Sequence, residues 1–100
     1  MSSRGALVVQ GVVAPGFEPV RALYEREMRT MAEEHTQLCV YHRGERVVDL
    51  WAAPADAAGF SGDSLVNIFS SGKSLESIAL AALVGRGQLD YAAPVAKYWP

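Results

Sequence analysis

Ser70 and Lys73, three residues apart in Ser70-Ser71-Gly72-Lys73-Ser74, form the pair whose types and spacing could do chemistry. Residues three apart on a helix lie one above the other, with Cβ atoms about 5–6 Å apart, so the amine can reach the hydroxyl. A hydroxyl beside an amine able to take its proton is an activated nucleophile, the starting arrangement for acyl transfer. In a first helical turn the pair would also sit near unpaired backbone N–H groups and the positive helix end, which favour a developing oxyanion. The amine carries a condition. At the ordinary lysine pKa of about 10.4, only about 0.04% is neutral at pH 7, so a base role needs burial or a neighbouring cation. The spacing fits a second reading equally well, in which Ser70 caps a helix and an exposed Lys73 pairs with Glu76 in a non-catalytic packing or interaction module.

The same segment also fits the end of a phosphate-binding loop, G-x-x-x-x-G-K-[ST], through Gly72-Lys73-Ser74. That pattern wants glycine at position 67, where this chain has Asn67, and Ile68 and Phe69 would put bulky side chains where backbone must wrap phosphate. A nucleotide-binding loop is therefore the weaker alternative. His42-Arg43-Gly44 matches an H-x-G tripeptide by chance, on what reads as a hairpin turn. His35 and His42 have no carboxylate or cysteine at metal-ligand spacing, so neither a metal nor a cofactor is expected.

Helices and strands must position Ser70 and Lys73. Pro19 suits a first helical turn, and Val20, Leu23, Tyr24, Met28 and Met31 then recur at helical spacing as one core stripe. Arg21, Glu25, Arg29 and Glu33 make an alternating i+4 ladder on a solvated face. Residues 36–42 and 45–51 are rich in β-branched and aromatic side chains, and Arg43-Gly44 between them predicts a two-residue hairpin. Pairing across it would set Tyr41 against Arg46, Val40 against Val47 and Cys39 against Val48. One face would then carry Leu38, Val40, Val47 and Trp51, and the other Cys39, Tyr41, Val48 and Leu50. Apolar residues on both faces predict a sheet covered on both sides, with Cys39 a small buried hydrophobe. After a loop over 52–63, a second helix runs from Ser70 to about Val84, its stripe of Leu75, Ile78, Ala79, Ala82 and Leu83 widened by Leu80 and Ala81. That breadth predicts deeper burial than for the first helix. Gly85 and Gly87 supply its stop, and residues 95–99 suit one more helical turn. The class is α+β: an antiparallel hairpin, an N-terminal helix and a buried nucleophile helix.

Composition narrows the function classes. In 100 residues, nine basic and eleven acidic side chains give a net charge of -2 without clustering, which disfavours nucleic acid as a partner. One cysteine forbids an internal disulfide and fits a reducing compartment. No run approaches the roughly 18 apolar residues of a membrane span. The apolar stretch after Arg4 is short, is broken by Gln10 and lacks a clean cleavage site, so it predicts an extended segment packed on the domain and a cytoplasmic location, not an export signal.

From Leu65 onward the chain reads LVNIFSSGKSLESIALAALVGRGQLDYAAPVAKYWP. Phe69-Ser70-Ser71-Gly72-Lys73, the apolar helix after it, Gly87-Gln88-Leu89-Asp90, Pro94-Val95 and Tyr98-Trp99-Pro100 together resemble the serine β-lactamase-like family. That family takes in class C β-lactamases, penicillin-binding peptidases and β-lactamase-related esterases. The resemblance extends more weakly through VQGVVAPGFEPVRALYE and the hairpin ending Val48-Asp49-Leu50-Trp51. It implies part of a β-lactamase/transpeptidase-like fold, with Ser70 as nucleophile, Lys73 as proton-transfer partner and the Ser70 backbone N–H as half of an oxyanion hole. It further implies a small-molecule ester, or a β-lactam or other amide, as substrate. Ser71 is the rival hydroxyl, but Lys73 is then only two residues on and on the wrong side of the helix. The family's second motif, Tyr-x-Asn, has no counterpart here, since the tyrosines read Tyr24-Glu-Arg, Tyr41-His-Arg, Tyr91-Ala-Ala and Tyr98-Trp-Pro. Its third motif, Lys-Thr-Gly or His-x-Gly on a downstream strand, is also missing from a usable place. Residues 1–100 are accordingly expected to be the N-terminal portion of one longer hydrolase domain, inactive alone and marginally folded because the hairpin leaves an open sheet edge.

Overall fold

A computed structural model describes residues 6–100. Arg4, which heads the apolar stretch weighed above as an export signal, lies outside them. The chain divides into two compact units, Met1–Leu65 and Val66–Pro100, and each is described by itself.

The first unit is a three-stranded antiparallel sheet with one helix. Strand β1 (Leu7–Val13) is followed by helix α1 (Glu18–Met28), then β2 (Thr36–His42) and β3 (Glu45–Pro54). The strand order is β1-β3-β2, so the longest strand is central. This corrects the expected two-stranded hairpin: the N-terminal segment is itself a strand, paired from Leu7 opposite Pro54 to Val13 opposite Val48. Its alternation of half-buried Leu7, Val9, Gly11 and Val13 with exposed Val8, Gln10 and Val12 is the period-2 signature of such a strand.

The Arg43-Gly44 turn forms as expected, with φ of 52° and 81°. Two successive left-handed residues give the turn whose twist matches the flanking strands, and the glycine takes that conformation without a Cβ penalty. Beyond the turn the register departs from expectation. Tyr41 faces Arg46, but Val40 faces Val48, Cys39 faces Asp49 and Leu38 faces Leu50. Val47 is the extra residue of a bulge, which shifts every later pair by one and exchanges the faces. Val48 and Leu50 therefore share a face with Leu38 and Val40, while Trp51 joins Cys39.

The bulge lets Val47 and Val48 both enter the core, where Val47, Val48 and Leu50 are 5%, 1% and 0% exposed. Val9, Val13, Phe17, Val20, Tyr24 and Leu38 pack around them, which seats α1 on this face. The other face is covered in part. Trp51 Nε1 donates to Gln10 Oε1 at 3.0 Å, and Gln37 Nε2 donates to the carbonyls of Ser61 and Ser64 at 2.7 and 2.9 Å. The two Gln37 bonds fasten the loop after β3 along that side. Cys39, on the outer strand β2 and facing away from α1, is exposed and not the buried hydrophobe expected.

Helix α1 has proline in its first turn, as predicted, but ends at Met28. Met28 is buried, whereas Leu23 and Met31 are exposed, so the stripe is shorter than the periodicity suggested. Of the charge ladder, Arg21–Glu25 forms at 3.8 Å, while Arg29 and Glu33 lie beyond the last helical residue.

The second unit contains a 3-10 turn, η1 (Phe69–Gly72), helix α2 (Lys73–Gly85) and a second 3-10 turn, η2 (Val95–Lys97). Here the expected deep burial is reversed, because α2 has no buried residue. Leu75, Ile78 and Leu80 are 61%, 64% and 49% exposed. The reason lies within the unit: one helix that is apolar on most sides, with two short turns, has too little chain to enclose it.

Candidate active site

Ser70 lies in η1 and Lys73 is the first residue of α2, so the nucleophile candidate precedes the α-helix and does not open it. In a 3-10 turn, side chains at i and i+3 eclipse. Lys73 Nζ accordingly points at Ser70, donating to its Oγ at 3.5 Å. That distance is at the long limit of a hydrogen bond. Both residues are exposed. The structure thus brings the expected pair together, but with Lys73 exposed and so without the burial that would serve a base role. Among the described residues Lys73 forms no ion pair with Glu76. Ser71 is tied differently, its N–H donating to the Ile68 carbonyl at 3.0 Å.

The chain reaches Ser70 through a strained residue. Phe69 has φ of 46°, left-handed for a non-glycine, although its side chain is 81% exposed and gains little by packing. Its N–H donates to Asn67 Oδ1 at 2.9 Å, an Asx turn closing on the backbone two residues ahead. With the N–H of Phe69 bound to Asn67 and that of Ser71 bound to Ile68, the Ser70 N–H between them is a donor that the turn does not use. Sequence reasoning missed this arrangement, although an asparagine two residues before a turn is its recognised signal.

The remaining candidates fall elsewhere. His42 ends β2 with its ring 6.4 Å from that of Phe17, and His35 meets Phe60 edge-on at 5.0 Å. Among the described residues, no group of three His, Cys, Asp or Glu side chains is placed to hold a metal ion. A phosphate loop fits poorly, because among the described residues all strand pairing is antiparallel and the Asn67 side chain occupies the turn's interior hydrogen bond. A hollow of about 600 Å³ lies between β1 and α1 in the first unit, lined by residues such as Leu7, Val9, Glu25 and Met28.

Residues 20–100 match the Beta-lactamase family, a stretch that takes in most of α1, the hairpin, Ser70 and Lys73. The chain belongs to that family. It is also 46% identical over 66 residues to the esterase/beta-lactamase LipL of Mycobacterium tuberculosis (strain ATCC 25618 / H37Rv). That match covers 63% of this chain and 15% of the relative, so the chain spans a small part of the protein it resembles. No solved structure matches. As a β-lactamase family member the chain is α+β, carrying a small antiparallel sheet and two helices. Among the described residues no helix is long and apolar enough to cross a membrane.

Proposed function

We propose that this chain is the N-terminal portion of a β-lactamase-related serine hydrolase that cleaves carboxylic esters, with β-lactams or other amides as further substrates, through an acyl-enzyme on Ser70. The observation that carries the reading is the Ser70 Oγ–Lys73 Nζ approach of 3.5 Å, next to a Ser70 N–H left free by its own turn. Ser70 Oγ attacks the ester carbonyl carbon while its proton passes to the neutral Lys73 amine. The carbonyl oxygen, now an oxyanion, takes the Ser70 N–H as one of its donors. Collapse expels the alcohol, which leaves with the proton from Lys73. Water then attacks the acyl carbon, and the acid departs as Ser70 regains its proton. No cofactor or metal enters these steps.

The exposure of Lys73 supports a companion proposal: residues 1–100 alone are inactive, and the surroundings that tune the amine come from the longer protein. The exposed apolar side chains of α2 agree, since a nucleophile helix needs a dry flank. A single thiol at Cys39 suits a reducing compartment such as the cytoplasm. Exposure of Lys73 also favours a second reading, the non-catalytic packing module. Treating the full-length protein with a fluorophosphonate and mapping the adduct by mass spectrometry separates the two. Label on Ser70, lost in Ser70→Ala, is expected; label elsewhere, or none, establishes the module instead.

A further inference from the structure

We propose that the open edge of β1 pairs with β1 of a second copy of this chain, joining the two sheets about a two-fold axis. β1 is an outer strand, and its register with β3 runs without a shift. At the two ends of that ladder the Ala14 N–H donates to the Val47 carbonyl at 2.8 Å and the Ala55 N–H to the Ala6 carbonyl at 3.2 Å. Backbone groups of an antiparallel pair alternate in direction, so even-numbered residues of β1 face β3 while Leu7, Val9, Gly11 and Val13 face outward. The Arg21 guanidinium donates to the outward carbonyl of Gly11 and closes that part of the edge. Among the described residues nothing pairs with the outward groups of Leu7 and Val9.

A second copy fits this stretch. LVVQGVV has neither a charge nor a proline, two devices by which outer strands resist pairing. About a two-fold axis, Leu7 meets the partner's Val9 and Val9 meets the partner's Leu7, each pair exchanging both of its N–H···O bonds. Both copies of α1 then lie on the same face of the joined sheet. The hollow of about 600 Å³ beside the stretch is lined by residues 6–9 and by Glu25, Met28 and Arg29. A two-fold interface must complement itself, one residue meeting a second and the second meeting the first. Glu25 and Arg29, both exposed, give this rim one charge of each sign, so Glu25 meets the partner's Arg29 on both sides of the axis. A partner of a single charge sign would instead be repelled by one of the two.

Sedimentation velocity of the full-length protein at micromolar concentrations tests this. Masses are read for the parent, Leu7→Pro, Glu25→Arg, Arg29→Glu and an equimolar mixture of the two charge variants. Circular dichroism confirms that each is folded. Proline at position 7 removes an outward N–H and spares the ladder to β3. The parent is expected to be a dimer, and Leu7→Pro and each charge variant alone to have half its mass. The mixture should recover the dimer, because a rim with two arginines then meets a rim with two glutamates. A monomeric parent would mean that the remainder of the longer protein covers the edge, and it overturns the proposal. A dimer that survives Leu7→Pro or either charge reversal does the same, as does a mixture that stays monomeric. Should Leu7→Pro not fold, the exposed charge variants and their mixture still decide. Labelling of Ser70 is unaffected by any of these outcomes, so the hydrolase reading stands or falls separately.

Discussion

Replacing Gly11 by alanine should break the sheet, and the structure supplies the magnitude. Gly11 lies opposite Leu50 with φ of +108°, and a Cβ built on it would sit 2.0 Å from the Asp49 carbonyl oxygen and 3.0 Å from Leu50 Cα. The first contact is about 1 Å inside any distance carbon tolerates, and backbone atoms cannot swing aside as a side-chain tip can. The strands must separate. Each ladder hydrogen bond lost costs about 0.5–1.5 kcal/mol, and the forced backbone conformation adds about 1–3 kcal/mol. The Gly11 carbonyl also accepts from the Arg21 guanidinium, which ties α1 to β1 and would be pulled with it. With two bonds lost the total is about 2–6 kcal/mol, set against a typical domain stability of about 5–15 kcal/mol. Gly44→Ala is the control: its φ is +81° but nothing lies within 4 Å of the new Cβ, so only the conformational cost of about 1–2 kcal/mol applies. Urea titrations followed by circular dichroism would give both values from the shift in midpoint at constant slope. If the two variants lose equal stability, the close approach of β1 to β3 is not what confines position 11 to glycine, and the reasoning fails.

Two further predictions rest on the same core. Leu50, fully buried, should cost about 2–5 kcal/mol on truncation to alanine, whereas Val12→Ala on the exposed face should stay within about 0.5 kcal/mol in the same titration. Tyr24 has its phenol raised above the ordinary value by burial, offset in part by its hydrogen bond with Thr36. Below an unfolded pKa of about 10 both states keep the proton. Above it the unfolded chain ionises first, so stability should fall as pH rises from that value through the folded pKa of Tyr24. Urea titrations at alkaline pH should show a shallower loss for Tyr24→Phe, and identical slopes would contradict the assignment.

Local signals carried much of this molecule. Period-2 and period-3.6 apolar spacing placed both helices and the hairpin strands, because each element buries one face and the spacing follows from its geometry. Arg43-Gly44 read as the turn because few dipeptides accept two left-handed residues in succession. Ser70 and Lys73 stood out by a spacing that brings side chains together in one helical turn whatever surrounds them. Tertiary structure alone decided three things. Pairing of Leu7 with Pro54 is a contact across nearly half the chain, for which no local propensity speaks. The bulge at Val47 was invisible because Val47 and Val48 are both apolar, so alternation could not say which one slips, and that slip chose the buried face and exposed Cys39. The left-handed backbone at Phe69 runs against the residue's own preference, so residue types alone do not express it.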